Sequence, residues 1–349
     1  MPIYIVINYT IKRENMALKV AINGFGRIGR CVARIIAKRD DIELVAVNDT
    51  AKREMTEYLL KYDSVHSMFS EEVKILEDDY MQIGKDRVKF LADRDPNKLD
   101  FAKYGAEILL ECTGAFLTQE KSQPYINNGI KKVVFSAPAK DDTPTFVIGV
   151  NEDKYKGETI VSNASCTTNC LAPITKIIDD TFGIEKGLMT TIHSYTNDQK
   201  ILDVKHSKDP RRARAAAVNM IPTTTGAAKA IGLVMPNLKG KLHGQSVRVP
   251  TADVSMVDLN VILKKNTTVE EVVKVFEEKE RNEYQGIISV DHDKRVSQDF
   301  VGSSISSIVA ADLTQVIEGN MLKVMAWYDN EWGYSCRLVD MALHVGNYK

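Results

Sequence analysis

The sequence predicts an α/β protein: a doubly wound parallel sheet, followed by an α+β domain with a mixed sheet. Three observations predict it. Short apolar strands alternate with helical patterns through the first 165 residues, a glycine-rich turn joins the first strand to the first helix, and longer strands with few crossovers fill residues 188–327. The 349 residues are enough for about two domains.

Composition excludes several classes of protein. The net charge of −1 argues against a dedicated nucleic-acid binder, and no apolar run approaches the ~18 residues that would span a membrane. Five scattered cysteines, an odd number, predict free thiols and a cytoplasmic location. Cys166 and Cys170 have no neighbouring Cys/His pair to complete a zinc site, so no metal is expected.

The first strand, helix and second strand carry a dinucleotide-binding pattern. Residues 19–23 form an apolar strand, and Gly24-Phe-Gly26-Arg-Ile-Gly29 follows at once. Glycines there permit a tight turn and let backbone N–H groups approach a pyrophosphate at the helix N-terminus. The next strand, residues 42–48, ends at Asp49, whose carboxylate would accept hydrogen bonds from the ribose hydroxyls.

The sheet continues with strands at residues 73–76, 80–83, 88–91, 108–113, 133–136 and 146–150, and with helices at 55–62 and 118–126. In such sheets ligands bind at the carboxyl ends of the strands. Asn23, Asp49, Thr113 and Ser136 all follow or end strands. We therefore expect them to face one groove.

Cys166 stands where an apolar strand at residues 159–161 gives way to a helical pattern. A free thiol has a pKa of about 8.5, and a helix N-terminus lowers it. Pro173, about two turns into the helix, predicts either a kink there or a regular helix that begins only after it.

The second half of the chain predicts strands at residues 188–194, 247–250, 254–262, 305–310 and 322–327, with a polar loop at 195–219. A helix at 269–276 is capped by Thr267 or Thr268. The predicted divisions are an N-terminal extension (1–15), a dinucleotide-binding domain (16–165), a catalytic domain (166–331) and a C-terminal helix that packs back on the dinucleotide-binding domain (332–349).

A dinucleotide site combined with a reactive thiol suggests aldehyde oxidation through a thioester. The sequence resembles the phosphorylating glyceraldehyde-3-phosphate dehydrogenase family, over nearly the whole chain after Met16. The motifs that carry the resemblance lie at residues 21–30, 162–173, 192–197, 211–215, 222–229, 248–250 and 327–334.

The resemblance implies a Rossmann-type first domain and roles for individual residues. Cys166 would be the nucleophile and His193 the general base. Glyceraldehyde 3-phosphate and inorganic phosphate would bind at two anion sites, one at Thr196 and Arg248, with Arg212 between the two. The residues implied for the other anion site and its surroundings are Ser165, Thr167, Thr168, Thr225 and Gly226.

The resemblance also implies NAD as cofactor. Besides the three glycines, the implied binding residues are Arg27, Ile28, Asp49, Arg94, Thr113, Ser136, Asn330 and Tyr334. Asp49 would repel a 2′-phosphate and so favour NAD over NADP. Val204-Lys205 departs from the Leu-Pro that NAD-specific relatives often carry, so use of both cofactors stays open.

Alternatives remain at this point. Erythrose-4-phosphate dehydrogenase is a sister activity, although the intact segments 194–196 and 222–226 favour the triose substrate. A secondary RNA-binding or surface-binding role is the alternative from another class. The resemblance further implies a homotetramer with the 195–219 loop at subunit contacts.

Overall fold

The computed structural model describes residues 16–206 and 209–348. Within them the chain forms two compact units. The first unit comprises residues 16–148, 152–165 and 335–348, and the second unit comprises residues 149–151 and 166–334. The extension predicted at residues 1–15 lies outside the described residues.

The first unit is built on one eight-stranded sheet. Its strands are β1 (Leu18–Asn23), β2 (Ile42–Asn48), β3 (Val73–Ile75), β4 (Tyr80–Ile83), β5 (Asp86–Leu91), β6 (Ile108–Glu111), β7 (Lys132–Phe135) and β8 (Ile160–Ser162). The order is β3-β4-β5-β2-β1-β6-β7-β8. All neighbours from β5 to β8 pair in parallel, and only β3-β4-β5 are antiparallel. The predicted doubly wound parallel sheet is confirmed.

The helices of this unit are α1 (Arg27–Ile36), α2 (Arg53–Lys61), α3 (Gln119–Asn127) and, from residue 335 onward, the last helix of the chain, α7 (Trp332–Asn347). The Thr118 side chain caps α3 by accepting a hydrogen bond from the N–H of Lys121. The strand predicted at residues 146–150 is wrong: the backbone turns there, and Gly149 has a φ of +82°. An apolar run marks burial, and burial alone does not distinguish a strand from a packed turn.

The second unit begins with α4 (Cys166–Phe182) and contains the second sheet. Its further elements are β9 (Ile184–Ser194), β10 (Ile221–Thr224), α5 (Ala227–Val234), β11 (Leu242–Val249), β12 (Ser255–Leu263), α6 (Val269–Arg281), β13 (Ile288–Asp291), β14 (Ser307–Ala310), β15 (Gln315–Ile317), β16 (Met321–Tyr328) and the start of α7 (Trp332–Asn347). The main order is β10-β11-β9-β12-β16-β14-β13. In this order β11-β9 and β14-β13 pair in parallel and the other neighbours pair antiparallel, which confirms the predicted mixed sheet.

Helix α4 runs through Pro173 without interruption, so the expectation that regular helix begins only after the proline is wrong. A proline in a helix interior costs about 3 kcal/mol. The helix compensates through burial, because twelve of its 17 residues are buried, Pro173 among them. Cys166 is therefore the first residue of a full helix. In α6 the predicted cap is Thr268, whose side chain accepts from the N–H of Glu271.

Among the described residues, no helix combines the length and apolar character that crossing a membrane requires.

Candidate active site

A cavity of about 510 Å³ lies in the first unit, at the carboxyl ends of β1, β2 and β6. Five of the residues implied to bind the cofactor line it: Gly24, Gly26, Asp49, Arg94 and Thr113. We call this cavity the groove. Its place agrees with the rule that α/β sheets bind ligands beyond their strand ends.

The turn between β1 and α1 gives the groove its backbone wall. Gly24 has a φ of +91°, a region that favours glycine. A Cβ on Gly29 would overlap the carbonyl oxygen of Gly24, which keeps helix and turn in close contact. A Cβ on Gly26 would meet nothing within 4 Å, so the groove is open on that side. The turn fits a pyrophosphate that approaches the N-terminus of α1.

Asp49 and Arg27 reach the groove differently. The Asp49 carboxylate accepts hydrogen bonds from the N–H groups of Phe25 at 2.9 Å and Ala51 at 2.8 Å, which fixes it at the groove wall. The Arg27 guanidinium pairs with Asp63 at 2.6 Å. That pair leaves the backbone N–H of Arg27, the first residue of α1, as its contribution to a phosphate site.

Glu111, which the sequence analysis missed, supports two residues that line the groove, Asn23 and Thr113. Its carboxylate is fully buried at the end of β6 and accepts hydrogen bonds from Asn23, Tyr125 and both the N–H and hydroxyl of Thr113. Asn48 in turn donates to Asn23 at 2.7 Å. Burial raises the pKa of Glu111, and the donors oppose that shift. The carboxylate thus joins three strand ends beneath the groove.

We expect Glu111→Gln to lower the stability of the first unit and to weaken NAD binding in the groove. At either oxygen position the glutamine NH₂ would face an N–H group that can only donate, from the Asn23 side chain or the Thr113 backbone. At least one buried donor is then unpaired, at a cost of about 1–3 kcal/mol. Urea unfolding should show that loss, and titration with NAD should show a raised Kd. Glu107→Gln, at the partly exposed ion pair with Lys131, is the matched control and should change stability little. Equal behaviour of the two variants would contradict the assignment.

The thiol site belongs to the second unit. Cys166 Sγ lies 3.6 Å from His193 Nε2. Cys166 opens α4, and His193 is the penultimate residue of β9, 27 positions further along the chain. The spacing in sequence carries no chemistry, and it is the fold that brings thiol and imidazole together. This contact is the one that a nucleophile and its base require.

The protonation of this pair differs from the expectation for a helix terminus. Burial raises the pKa of the Cys166 thiol, while the charge of Arg248 and hydrogen bonds from Thr167 act in the opposite direction. Burial, and then the charge of Arg248, lower the pKa of His193 to about 3. The imidazole is therefore neutral at pH 7, so it is able to accept a proton.

Arg248 stands beside His193 because β11 and β9 are parallel neighbours that pair these two residues. Its Nη1 lies 2.8 Å from His193 Nδ1 and 3.1 Å from the Ser194 carbonyl oxygen. Among the described residues it forms no ion pair with a carboxylate, since Asp198 bonds Arg212 at 2.6 Å. Arg248 is therefore a cation ready for an anionic ligand.

Other residues implied at the anion sites lie on nearby segments. Arg212 donates to the Thr223 hydroxyl on β10 at 2.8 Å. Thr225 accepts from the N–H of Ala227, and Gly226 precedes α5, where a Cβ would meet nothing within 4 Å. Three more are Thr196, whose N–H donates to the Gln199 side chain, Thr168, which is fully buried in α4, and Ser165, which directly precedes α4.

Tyr328 is a second residue without a role in the sequence analysis. Its buried hydroxyl lies 2.9 Å from the Thr167 hydroxyl and 2.8 Å from that of Thr191. Its ring makes an edge contact with His193, with centroids 6.0 Å apart. Tyr328 thus holds α4, β9 and β16 in register around the thiol, and turns Thr167 toward the protein interior.

The remaining residues implied at the cofactor fall into both units. Asn330 Oδ1 accepts from the hydroxyls of Ser194 at 2.9 Å and Ser255 at 2.6 Å, which fixes its amide in the second unit. Tyr334 is buried in the same unit. In the first unit, Ser136 follows β7, and Ile28 lies in the first turn of α1.

Comparison with known proteins identifies the family. The model of the glyceraldehyde 3-phosphate dehydrogenase NAD binding domain matches residues 18–119, and that of the C-terminal domain of the same family matches residues 165–330. Glyceraldehyde-3-phosphate dehydrogenase of Geobacillus stearothermophilus is 51% identical over 334 residues, 95% of this chain and 99% of that protein. The chain belongs to the glyceraldehyde-3-phosphate dehydrogenase family. The resemblance drawn from the sequence is confirmed.

Family members from distant organisms are about equally similar. Glyceraldehyde-3-phosphate dehydrogenase 1 of Bacillus cereus is 51% identical over 329 residues, 94% of this chain and 98% of its own length. The cytosolic glyceraldehyde-3-phosphate dehydrogenase of Sinapis alba is 49% identical over 331 residues, 94% of this chain and 98% of its own length. The match to the family's NAD binding domain supports NAD as the cofactor and agrees with the groove.

Proposed function

We propose that this chain catalyses the reversible, NAD-dependent oxidative phosphorylation of D-glyceraldehyde 3-phosphate to 1,3-bisphosphoglycerate. The observation that carries the proposal is the 3.6 Å contact of Cys166 Sγ with His193 Nε2 in a chain that also has the family's NAD binding domain. The sister activity on erythrose 4-phosphate is not favoured, because the relatives described above carry the triose name.

The first chemical step belongs to Cys166. His193 Nε2 takes the thiol proton, the thiolate adds to the aldehyde carbon, and the proton passes to the aldehyde oxygen, which gives a hemithioacetal. The backbone N–H of Cys166, at the start of α4, is placed to donate to the oxygen that gains charge. The positive charge of Arg248 and the hydrogen bonds from Thr167 favour the thiolate against its burial.

His193 acts in the oxidation. Bound NAD supplies the hydride acceptor. As the hydride leaves carbon, His193 Nε2 takes the hydroxyl proton, and a thioester to Cys166 remains. Inorganic phosphate then attacks the thioester carbon, the C–S bond breaks, and the thiolate returns. A base that is neutral at pH 7 suits this role, and general bases of this kind contribute about 10²–10⁴-fold.

Two anion sites serve the substrate phosphate and the attacking phosphate. We assign the first to Arg248 with Thr196, and the second to Ser165, Thr168, Thr225 and Gly226 with Thr167 in support. Arg212 lies between them. The chemistry supports this assignment, since hydroxyls, backbone N–H groups and guanidinium groups are the ordinary ligands of phosphate.

For the cofactor we assign the glycine turn, the N–H groups of Arg27 and Ile28, and Asp49 on the ribose. Arg94, Thr113 and Ser136 complete the adenosine side, while Asn330 and Tyr334 serve the nicotinamide. Asn330 is fitted to hold a carboxamide because two serine hydroxyls already fix its orientation. The domain boundaries at 165/166 and 331/332 stay predictions.

A steady-state assay tests the function. With glyceraldehyde 3-phosphate and inorganic phosphate, kcat/KM for NAD should exceed that for NADP by about tenfold or more, because a carboxylate beside a 2′-phosphate costs several kcal/mol. Asp49→Ala should narrow that ratio, and Asp93→Ala, at the same groove edge, is the matched control.

Three outcomes of this assay would contradict the proposal. They are NADP preference in the wild type, turnover that does not depend on phosphate, and faster turnover of erythrose 4-phosphate than of the triose. Each of them would mean that the enzyme uses a different cofactor, acyl acceptor or aldehyde from the one proposed.

We also propose a cytoplasmic homotetramer. Five free cysteines support a reducing compartment. Exposed apolar side chains cluster on the 195–219 loop and the residue after it, as at subunit contacts: Ile201, Leu202, Val204, Val218 and Met220. Sedimentation equilibrium measures the number of chains. A secondary RNA-binding role stays a prediction, which RNA binding in competition with NAD would test.

A further inference from the structure

His193 Nδ1 lies between two groups that need it in opposite states. The Ser194 carbonyl oxygen, which can only accept, is 2.8 Å away. Arg248 Nη1, which can only donate, is also 2.8 Å away. A neutral imidazole nitrogen carries either a proton or a lone pair, so Nδ1 serves one of these neighbours at a time.

The choice decides whether His193 works as a base. When Nδ1 accepts from Arg248, the ring proton is on Nε2, which faces Cys166 Sγ and has no lone pair to offer. When Nδ1–H donates to Ser194, Nε2 is free to accept a proton. Only the second tautomer takes the hydroxyl proton that the oxidation releases.

The surroundings leave only these two neutral tautomers. His193 is 4% exposed, and burial together with the charge of Arg248 lowers the pKa of its imidazole to about 3, which disfavours the doubly protonated ring. Cys166 faces Nε2. Tyr328 meets the ring with its edge, and its hydroxyl is engaged by two threonines. Arg248 is thus the neighbour that can change the balance.

A bound anion would compete with His193 Nδ1 for the Arg248 guanidinium. Burial lowers the pKa of its guanidinium, and it forms no ion pair with a carboxylate among the described residues. A phosphoryl group would engage the planar fork with two parallel hydrogen bonds. Such a ligand draws Nη1 away from Nδ1 and leaves Nδ1 with the Ser194 carbonyl oxygen.

We propose that Arg248 is a positioning residue that sets the tautomer of His193. Without an anion, Arg248 donates to Nδ1, the ring proton stays on Nε2, and His193 has no lone pair with which to act as a base. A phosphoryl group bound to Arg248 releases Nδ1, and the ring proton passes through solvent from Nε2 to Nδ1 with no net change in charge. The phosphate of the substrate then activates the base as well as anchoring the substrate. This inference rests on the proposed function.

A substrate divided into two pieces tests it. D-Glyceraldehyde lacks the phosphate, and phosphite dianion supplies it separately. Wild-type oxidation of glyceraldehyde, followed as a single turnover of NADH formation without inorganic phosphate, should become faster when phosphite is added. The two proteins are compared at the high-pH plateau of their pH–rate profiles, where the Cys166 thiol is ionised in both and loss of the Arg248 charge no longer changes its ionisation. There Arg248→Ala should oxidise glyceraldehyde alone faster than the wild type, on the order of five- to tenfold, because the hydrogen bond that holds the wrong tautomer is gone. Phosphite should no longer stimulate this variant.

An arginine that only binds phosphate behaves differently. Its removal would leave or lower the rate on glyceraldehyde alone, and that result would overturn the inference while the proposed function stood. Arg214→Ala, at the exposed pair with Asp203, is the matched control and should resemble the wild type with every substrate.

Nitrogen NMR of ¹⁵N-histidine-labelled protein reads the tautomer directly. The His193 signals, assigned by their loss in His193→Asn, should show a protonated Nε2 in the free protein and a protonated Nδ1 with phosphite. A protonated Nδ1 in the free protein, or no change with phosphite, would refute the inference. Failure of the wild type to oxidise glyceraldehyde 3-phosphate with NAD would instead refute the proposed function.

Discussion

Replacement of Cys166 by serine is expected to abolish turnover while NAD still binds. A serine hydroxyl has a pKa far above that of a thiol, and nothing at the start of α4 would ionise it. Loss of the nucleophile should lower kcat by at least on the order of 10⁴-fold, as in other enzymes that form covalent intermediates. Steady-state kinetics and fluorescence titration with NAD measure the two quantities.

Cys170→Ala is the matched control, because Cys170 lies one turn further along α4 and is fully buried. Burial raises the pKa of its thiol, and its Sγ contacts the Ala326 carbonyl oxygen at 3.9 Å and the Ser307 side chain, neither of which belongs to the proposed mechanism. This variant should lose some stability through the small cavity but keep its kcat. Retained turnover in Cys166→Ser would contradict the covalent mechanism.

His193→Asn is expected to lower kcat by about 10²–10⁴-fold with a much smaller change in KM, because it removes a base that acts in the transition state. The substitution keeps a polar group beside Ser194 and Arg248. Single-turnover measurement of hydride transfer reports the step directly. An unchanged kcat would contradict the role of the imidazole.

His243→Asn is the control histidine, since His243 lies exposed on β11, the strand next to His193. Its kcat should match that of the wild type.

The pH dependence of activity separates the ionisation of the thiol from that of the base. Because the imidazole pKa is about 3, it stays unprotonated from about pH 5 upward, and a rise of activity with pH in that range reports ionisation of the Cys166 thiol.

Local patterns predicted those parts of the fold that depend on local physics. The strand, glycine turn and helix at Gly24–Gly29 follow from backbone freedom, and Thr268 follows from capping. The uninterrupted helix through Pro173 does not, because burial of α4 supplies the compensation and burial is a property of the whole unit. The turn at Gly149 was not predicted for a related reason: its apolar neighbours are buried, but they do not form a strand.

The candidate site was predictable in composition and not in arrangement. The motifs and the resemblance indicated Cys166, His193 and Arg248 by name. Their contacts come from the parallel register of β9 and β11, which no sequence spacing reveals. Glu111 had one signal that could have found it, a carboxylate inside the apolar run of β6, since such a group is buried only with several donors around it.

The register of β9 and β11 has a consequence for protein engineering. His193 and Arg248 are cross-strand partners, whereas Thr196 and Thr225 lie in loops and Arg212 in a four-residue 3-10 helix. Loops tolerate exchange far better than paired strands do. A library that varies the loops alone could therefore recruit a different acyl acceptor or a longer aldehyde while the proton chemistry stays intact. Substrate features other than the phosphate that engages Arg248 are therefore separable from reactivity in this scaffold.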